Sequence, residues 1–561
     1  MSEIPSWEQA VAMLTGPGAP FEIVEQEIRG RRTKAFADTP SSLREAFAGA
    51  RLHGDKTFIV YEDEVWSFAR MMARVDEIAD ALVHRYEISP GDRVAISMRN
   101  YPEWIASFAA ILSVGGIAVC MNALWKGEEM AYGLEDSGAK LLIADPERIR
   151  VAEPELAREG LAAMVVRHRE GALPAGVDRM EDVLRPGAAM PEVEVGPEHD
   201  ATILYTSGTT GSPKGAVSTH HAVLSALRAF TCRALIGAMT QPPREPSPYE
   251  TSFILAVPLF HVTGLVPVML TCFINGFKLV MMYKWSPERA LELVERERVT
   301  QFVGVPTMTI DMLESPDFEH RDTSSLASVG GGGAPAPPEL VSRVEGSFRR
   351  GRPGIGYGMT ETNAYGPQNA GDDYVRKPRS TGRAVPVVDV GIFDADMKPL
   401  PPGEVGEICF RGPNLIRGYW NKPEATAETI VDGWLRSGDI GRIDEEGFVY
   451  VEDRAKDMVL RGGENIYCAE VEAVIYTHPD VHEAAVFGIP HDRLGEEVAC
   501  AVMPRKGREI DPAALREHVS AHLAPFKVPT VYDVVKEPLP RNASGKILKK
   551  DLRDALVAAR G

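Results

Sequence analysis

Apolar residues along the first 450 positions occur either in short continuous runs or at helical spacing, and the two kinds of segment alternate. Residues 302–305 form one such run, which predicts a short buried strand closed by Pro306. Ahead of it, Ser286 can cap a helix, Pro287 suits the first helical turn, and residues 291–294 supply an apolar face. A helix followed by a buried strand is therefore expected here.

The same alternation recurs elsewhere in this part of the chain. Residues 326–329 predict a strand, 330–333 a turn and 338–344 a helix, while residues 93–98 predict a strand followed by a helix over 102–112. Strand, turn and helix in succession are typical of βαβ units with parallel strands. The predicted fold class is therefore α/β, with a large N-terminal domain of parallel-rich sheets and helices.

The pattern changes past Asp453, where the segments become shorter. They are predicted strands over 484–489 and 498–503, a helix over 511–523 and a last helix from Leu548. These short strands and helices predict a small, mobile α+β C-terminal domain, and Asp453 to Asp457 form the candidate joint. The predicted organisation is a large domain over 1–453, a hinge over 454–457 and a small domain over 458–561.

The N-terminal segment and the longest apolar segment bear on whether the chain is secreted or inserted in a membrane. Residues 1–19 lack a basic region followed by an apolar run, so no signal peptide is predicted. The longest apolar stretch, residues 262–277, is interrupted by Gly264, Pro267 and Gly276, and is too short to span a bilayer. It is interpreted as buried core, and no transmembrane segment is expected.

Composition narrows the class of partner. The 561 residues carry 61 basic and 80 acidic side chains, a formal charge of −19, which argues against a nucleic-acid-binding surface. The six cysteines are scattered singly, without the short spacing of a zinc site or redox motif. A reducing cytoplasm is the expected location.

The strongest chemical signal is the run Thr-Ser-Gly-Thr-Thr-Gly-Ser-Pro-Lys-Gly over residues 206–215, which follows a predicted strand. Its glycines let backbone N–H groups approach an anion, its hydroxyls add donors, and Lys214 adds a full charge. The Walker loop is excluded, because Pro213 stands where that motif needs glycine and Gly215 follows the lysine. A polar surface loop is the alternative, and the run is long and specific enough to favour phosphate binding.

This run resembles the signature of the adenylate-forming superfamily, which includes acyl-CoA synthetases, luciferase-like enzymes and peptide-synthetase adenylation domains. Further motifs resemble the same family in the same order: Gly-Tyr-Gly-Met-Thr-Glu over 356–361, Ser-Gly-Asp over 437–439, the joint over 453–457, and Pro-Arg-Asn-Ala-Ser-Gly-Lys over 540–546. Together they cover residues 50 to 555. The chain looks most like a fatty-acid or other carboxylic-acid CoA ligase.

The resemblance implies a role for each matching residue. The catalytic candidates are Lys546, whose ammonium would stabilise the transition state, and Glu361, which would also bind Mg²⁺. The residues implied in ATP and AMP binding are Thr206, Ser207, Gly208, Thr209, Thr210, Lys214, Gly333, Ala334, Pro335, Tyr357, Gly358, Met359, Thr360, Asp439 and Arg454. Lys456 would be the hinge pivot, Gly463 would line the coenzyme A tunnel, and His261, Val305 and Gly331 would line the acyl pocket.

Several of these residues have a plain structural alternative. Tyr357 could be core, Arg454 a surface salt bridge, and His261 a satisfied core histidine rather than a pocket wall. Lys546 could be one of several basic tail residues, beside Lys549 and Lys550. Its motif context favours the catalytic role.

The implied reaction has two steps, with ATP and coenzyme A as co-substrates and Mg²⁺ as the metal. A carboxylate attacks ATP to give acyl-AMP and pyrophosphate, and the coenzyme A thiol then displaces AMP. The partners are a carboxylic acid, ATP and coenzyme A, and a homodimer is left open because self-association is common in such families. The alternatives are an acyl-AMP ligase that delivers to a carrier-protein phosphopantetheine, and a catalytically silent nucleotide-binding protein. Retention of Lys546 and Glu361 argues against the silent protein.

Overall fold

The computed structural model describes residues 4–157, 160–206, 213–243, 245–462, 464–542 and 545–560. The α-helices are Trp7–Thr15, Leu43–Ala50, Phe68–His84, Pro102–Ser113, Gly127–Ser137, Pro146–Ala152, Met180–Val183, His220–Met239, Thr271–Asn275, Pro287–Glu297, Pro306–Glu314, Pro338–Ser347, Gly371–Arg376, Pro423–Thr429, Cys468–Tyr476, Pro512–Ser520 and Lys549–Arg560. A π-helical segment, Gly264–Leu270, runs directly into the helix at Thr271.

Two eight-stranded, mostly parallel sheets form the centre of the molecule. The first has the order Gly418–Tyr419, Lys214–Thr219, Asp200–Thr206, Ile117–Cys120, Arg93–Ser97, Leu141–Ala144, Ala162–Val165 and Val177–Arg179. The second has the order Gln368–Ala370, Arg352–Gly356, Ser328–Gly332, Gln301–Gly304, Ser252–Leu255, Lys278–Met281, Thr57–Tyr61 and Glu64–Ser67. Antiparallel pairs occur only towards the edges among these described strands. The α/β fold class with parallel-rich sheets is thus confirmed.

Smaller sheets complete the fold. An N-terminal hairpin pairs Ile23–Ile28 with Arg31–Phe36. A five-stranded antiparallel sheet contains Asp389–Phe393, Gly406–Arg411, Trp434–Ile443, Ile430–Val431 and Val449–Arg454. The C-terminal sheet contains Glu464–Ile466, Val459–Arg461, Gly495–Pro504, Val481–His491 and Val531–Val534. The chain leaves one sheet at Arg454 and enters the next at Val459, so 455–458 link them. Domain bounds at this link stay a prediction.

Separate hydrophobic cores accompany these layers. The largest lies between the two central sheets and includes Trp104, Phe108, Phe273 and Tyr365. A second core packs the helices after Ser286 against the outer face of one sheet, and a distinct core lies inside the C-terminal sheet and its helices. Burial of these apolar side chains is the main stabilising contribution to each layer.

Most elements expected from the sequence appear in the structure. The helix after Ser286 spans Pro287–Glu297, and the Ser286 hydroxyl accepts a hydrogen bond from the Arg289 N–H, as a helix cap does. The turn expected over 330–333 is wrong, because the strand Ser328–Gly332 continues through three of these glycines. Pairing with strands on both sides holds them extended.

The C-terminal expectations are close to the observed elements. The two long strands contain the expected segments and extend beyond them. The helix expected over 511–523 is Pro512–Ser520, and the helix expected from Leu548 begins at Lys549. The apolar stretch 262–277 is largely buried, as expected. All six cysteines are buried and free.

One helix of the described chain, His220–Met239, is long and apolar enough by length and composition to cross a membrane. More than half of its most apolar window, 56%, is buried inside the fold. Thr219 caps its start by accepting a hydrogen bond from the Ala222 N–H. A buried core helix passes the same test, so the helix gives only weak evidence of a membrane span.

Candidate active site

The segment predicted to bind phosphate is bounded by two paired strand residues. Thr206 ends one strand, Lys214 begins the next, and the Thr206 hydroxyl donates to the Lys214 carbonyl oxygen at 3.3 Å. Ser207, Gly208, Thr209 and Thr210 lie outside the described residues, and so does Gly463 of the predicted coenzyme A tunnel. Their assignments stay predictions.

Glu361 is a buried carboxylate close to Lys214. It is 6% exposed, and its Oε1 accepts a hydrogen bond from the Tyr419 hydroxyl at 2.7 Å. The Lys214 Nζ lies 5.1 Å from the centre of the Tyr419 ring. Burial raises the pKa of the Glu361 carboxyl, and the Tyr419 hydrogen bond, Arg454 and Lys214 offset this only in part. An added cation would therefore favour the ionised form.

Asp439 forms a second polar group with Tyr357 and Arg454. The Tyr357 hydroxyl donates to Asp439 Oδ2 at 2.7 Å, and the Arg454 Nε lies 3.4 Å from Asp439 Oδ1. Asp439 and Arg454 face each other on paired strands, which fixes their separation. Burial is the largest cause that raises the pKa of Tyr357, and Asp439 adds to it. Tyr357 is thus a half-buried neutral donor that orients the carboxylate.

Gly358 and Gly333 lie in the other two motifs predicted to bind nucleotide, and a side chain at either position would be strained. A Cβ on Gly358 would lie 2.3 Å from the Ala364 carbonyl oxygen, and Gly333 has a φ of +77°. Ala334 and Pro335 follow Gly333 in the loop before the helix Pro338–Ser347. The neighbouring Met359 N–H donates to the Thr362 hydroxyl, and Thr360 begins a 3₁₀ turn that carries Glu361.

Lys546 comes from the C-terminal part of the chain and lies among residues of the preceding sheet. Its ammonium is within electrostatic range of Arg454, Asp457 and Asp439. Burial is the largest cause that lowers its pKa, to about 7, and Arg454 lowers it further. By contrast, the Lys549 Nζ contacts Glu472 at 2.7 Å, and Lys550 is exposed. The three lysines are therefore not equivalent, and only Lys546 is shown near Asp439.

A tight turn presents Lys546. The Lys546 N–H donates to Asn542 Oδ1 at 2.9 Å, and the Arg541 Nη1 donates to the Gly545 carbonyl oxygen at 2.7 Å. Gly545 has a φ of +84°, and a Cβ there would lie 3.1 Å from Val305 Cγ2. Val305 is therefore adjacent to the turn that carries Lys546.

His261 is a neutral side chain at neutral pH. Burial lowers its pKa to about 4, and its Nδ1 accepts a hydrogen bond from the Thr263 N–H at 3.3 Å. These contacts are local. They are compatible with a wall or core residue and give no basis for a proton-transfer role.

Four glycines form one face of the second sheet, which we call the glycine floor: Gly330, Gly332, Gly354 and Gly356. Gly330 pairs with Gly354 and Gly332 with Gly356, so all four lie on one face. Val303 is in the same row and packs towards the main core. A Cβ on Gly330 or Gly354 would meet only sheet neighbours, at 3.7 Å or more.

Gly331, predicted to line the acyl pocket, lies on the opposite face of the sheet. It shares that face with Val329, which packs against the helix Pro338–Ser347. A Cβ on Gly331 would lie 3.2 Å from the Gly304 carbonyl oxygen. A Cβ on Gly304 would meet Phe302 and Met308, so the space beside that glycine is already filled. In this structure the glycine floor, rather than Gly331, is on the face with Val303.

The predicted hinge residue, Lys456, is exposed within the link over 455–458. The Asp457 and Met458 N–H groups both donate to the Arg454 carbonyl oxygen, at 3.0 and 3.1 Å, which forms a compact turn. These contacts alone do not identify Lys456 as a pivot. The hinge assignment stays a prediction.

Mg²⁺ is the metal that the sequence predicts for this site. The described residues contain no group of three or more His, Cys, Asp or Glu side chains that could hold a metal. Mg²⁺ commonly keeps water and binds one or two carboxylates together with substrate phosphates. The buried Glu361, close to Lys214, fits that kind of site.

Two contacts in the candidate site had no clear sequence signal. Tyr419 is a single aromatic residue without a motif of its own, yet it joins Glu361 to Lys214. Arg541 lies within the motif that ends at Lys546, but its bond to the Gly545 carbonyl could not be read from the sequence. The pairing of strands brings these residues together.

Comparisons with known proteins agree with this geometry. Residues 46–420 match the family model of AMP-binding enzymes, and residues 470–546 match that of the AMP-binding enzyme C-terminal domain. A feruloyl-CoA synthase from Amycolatopsis sp is 36% identical over 507 residues, covering 90% of this chain and 96% of that protein. A long-chain-fatty-acid–CoA ligase from Bacillus subtilis (strain 168) is 32% identical over 527 residues, covering 89% and 91%.

A solved structure is similar over nearly the whole chain. The o-succinylbenzoate CoA synthetase from Bacillus subtilis, in complex with its acyl-adenylate intermediate, has a TM-score of 0.77 and 28% identity. The match covers 92% of this chain and 99% of that one.

Proposed function

The chain belongs to the AMP-binding enzyme family, and on that premise we propose that it is an ATP-dependent acyl-CoA synthetase. It activates a carboxylic acid as acyl-AMP, releases pyrophosphate, and transfers the acyl group to coenzyme A with release of AMP. The relatives named above are CoA ligases, and one similar structure holds an acyl-adenylate. The proximity of Lys546 to Asp439 and Arg454 is the observation that carries the proposal.

The first half-reaction brings anionic groups together, because a carboxylate oxygen attacks the α-phosphorus of ATP. In the proposed mechanism Lys546 stabilises the charge that develops there, and Lys214 holds the outer phosphates. Asp439, oriented by Tyr357, accepts hydrogen bonds from the ribose hydroxyls. The O–P bond to the carboxylate forms as the bond to pyrophosphate breaks.

Mg²⁺ would be held by Glu361 together with the phosphates of ATP. When bound, it supplies positive charge that offsets the phosphate anions. Glu361 needs no proton transfer for this role. Its ionised form would be stabilised in the complex, whereas burial disfavours that form in the free protein.

In the second half-reaction the thiol of coenzyme A attacks the acyl carbonyl and gives up its proton to water, while AMP leaves with the electron pair of the broken C–O bond. We propose that the C-terminal domain, over 458–561, turns about the hinge at Lys456 between the two steps. Gly463 would then line the coenzyme A tunnel. Such an exchange of poses is a form of conformational gating.

The test is carboxylic-acid-dependent exchange of pyrophosphate into ATP, followed by product analysis. A panel of fatty, aryl, steroid-side-chain and terpenoid acids should include at least one that supports exchange, and AMP and acyl-CoA should form only when coenzyme A is added. No exchange with any acid would contradict the proposal. Acyl transfer to a holo-carrier protein but not to coenzyme A would favour the acyl-AMP ligase instead.

We propose further that the acyl group lies over the glycine floor, beside Val305 and His261. The glycines place no side chain on this face, a Cβ on Gly330 or Gly354 would meet nothing closer than 3.7 Å, and Val305 adjoins the turn of Lys546. The Lys546 turn and the floor would then approach the carboxyl end of the same acid. A bulky acyl group, such as an aryl ring, would use this space.

Substitution of Gly330 or Gly354 by valine is expected to narrow the range of acids. Neither glycine has a positive φ, and β-branched residues suit strands, so the fold should hold. The largest acid accepted by the wild-type protein should lose about 10- to 100-fold in kcat/KM, while a short acid changes little. Steady-state kinetics over the acid panel measures this.

The matched control is Gly346→Ala, at an exposed position in the helix Pro338–Ser347 where a Cβ meets nothing within 4 Å. It should leave the acid range unchanged. Equal losses for short and bulky acids in the valine variants would contradict an acyl site over the floor.

A further inference from the structure

Glu314 is the centre of an ionic cluster that joins the large N-terminal part of the chain to the C-terminal sheet. Its Oε1 accepts from Arg343 Nη2 at 3.3 Å and also contacts Arg505 Nη1, while its Oε2 lies 3.0 Å from His482 Nδ1. Arg343 belongs to the same side of the link over 455–458 as Glu314. Arg505 and His482 belong to the other side, so the cluster spans the proposed hinge.

The strand that carries His482 is shaped for this contact. Val481 pairs with Pro504 and Glu483 with Met503, so His482 is an extra residue in a β-bulge. A bulge changes the direction of a side chain relative to its neighbours in the strand. Here His482 is directed to Glu314, while the adjacent Glu483 is used elsewhere.

Glu483 connects the same strand to the turn that presents Lys546. Its Oε1 accepts a hydrogen bond from Arg541 Nη2 at 2.7 Å, and Arg541 Nη1 donates to the Gly545 carbonyl oxygen at 2.7 Å. Gly545 directly precedes Lys546. Two consecutive residues of one strand therefore contact the N-terminal part of the chain and the turn that presents the lysine.

The helix Pro306–Glu314 meets the C-terminal part at both of its ends. Val305, at its start, adjoins Gly545, and Glu314, at its end, holds His482 and Arg505. Nine residues of helix separate these contacts by about 13 Å. Two contacts at that separation restrict rotation far more than one contact does.

The charges in the cluster favour this arrangement. Burial alone would raise the pKa of Glu314, but its contacts with His482 and Arg505 outweigh burial and hold that pKa at about 2. The Glu314 contact is the largest cause that raises the pKa of His482. Glu483 and Asp311 also face His482, and Arg343 and Arg505 face Glu314. The surrounding carboxylates therefore favour the protonated form of His482.

We propose that Glu314 is a positioning residue for acyl-adenylate formation, acting through His482 and Arg505 to hold the C-terminal part where Lys546 lies at the nucleotide site. This rests on the proposed function. It predicts that the cluster opens when the C-terminal domain turns for the second half-reaction. Glu314 then stabilises one pose and not the other, so its loss must affect the two half-reactions differently.

The test is Glu314→Gln, with the two half-reactions measured separately. Pyrophosphate exchange should slow by about tenfold, and consumption of pre-formed acyl-AMP by coenzyme A should stay the same or become faster. The matched control is Glu295→Gln, which breaks a contact with Arg321 at 2.9 Å between two residues on the same side of the link. It should change neither rate appreciably.

Equal losses in both half-reactions would show a general structural role and overturn the proposal, and so would an unchanged exchange rate. Failure of the proposed function has a different signature, because the wild-type protein itself would then show no acid-dependent exchange. Rescue offers a further check. Glu314→Asp, which keeps the charge, should restore part of the exchange rate.

A pH series supplies a readout that a merely structural role would not move. Because the folded pKa of His482 is raised, its contribution to the contact is complete below about 6.5 and is lost as pH rises through the raised value. The ratio of wild-type to His482→Gln exchange rates should therefore fall towards one as pH rises. Taking the ratio at each pH cancels the titration of Lys546, which both proteins share. A ratio that does not depend on pH would contradict a role for the His482 cation.

Discussion

Lys546→Ala is expected to slow acyl-adenylate formation by about 100- to 1000-fold, which is the loss typical of removing one preorganised group that stabilises transition-state charge. The structure holds this ammonium near Asp439 and Arg454, and burial lowers its pKa to about 7. The charged form of a lysine in such a setting is stabilised most when an anion binds beside it. The ATP α-phosphate and the attacking carboxylate are those anions in the proposed reaction.

The measurement is acid-dependent pyrophosphate exchange, with Lys550→Ala as the matched control. Lys550 lies four residues further on and is exposed. Its substitution removes the same formal charge from the same segment. Its substitution should leave exchange within about twofold of wild type, since isolated surface charges contribute little. Reaction of pre-formed acyl-AMP with coenzyme A should survive in Lys546→Ala. A variant that exchanges normally would remove Lys546 from the mechanism.

The sequence names the candidate chemical groups but not the residues that contact them. Lys546, Glu361 and Asp439 could be named because each lies in a run of residues whose order carries information. Tyr419 could not, because its contact with Glu361 depends on a short edge strand paired with Lys214–Thr219. Contacts of this kind arise from the pairing of distant strands, which no local pattern indicates.

The predicted acyl pocket shows a second limit of sequence reasoning. A strand predicts the direction of its side chains only when apolar and polar residues alternate, and the run from Gly330 to Gly333 contains glycine alone. Its direction could therefore be assigned only from the neighbouring Val329, which packs against a helix. That contact puts Gly330 and Gly332 on the face opposite Gly331. The turn expected at these glycines failed for the same reason.

The ionic cluster at Glu314 shows both of these limits of sequence reasoning. A β-bulge at His482 has no sequence signature in this strand, and the partner carboxylate lies more than 160 residues earlier in the chain. The joint over 453–457 could be predicted from its motif, but not the contacts that favour one position of the domains it joins. Those contacts depend on how the two parts meet.

Glu361→Gln is expected to lower activity and raise stability together. Glutamine is close to glutamate in shape and can still accept the Tyr419 hydrogen bond through its carbonyl oxygen. It lacks the charge proposed to bind Mg²⁺, so exchange should fall by about 100-fold and require more Mg²⁺ for half-maximal rate. Titration of Mg²⁺ at saturating ATP measures both changes.

The stability change follows from the direction of the pKa shift. Because burial raises the folded pKa of Glu361, its ionised form is unfavourable in the folded protein without ligand, and the wild-type protein loses stability as pH rises through that pKa. The variant lacks this loss, so its Tm should be higher at pH 8 by about 1 to 2 °C, and the difference should vanish below about pH 4. Thermal unfolding at several pH values, without ATP and Mg²⁺, measures it. A lower Tm at pH 8 would indicate that Glu361 mainly supports the fold, whereas a higher Tm with lost exchange would identify a buried charge retained for function at a cost in stability.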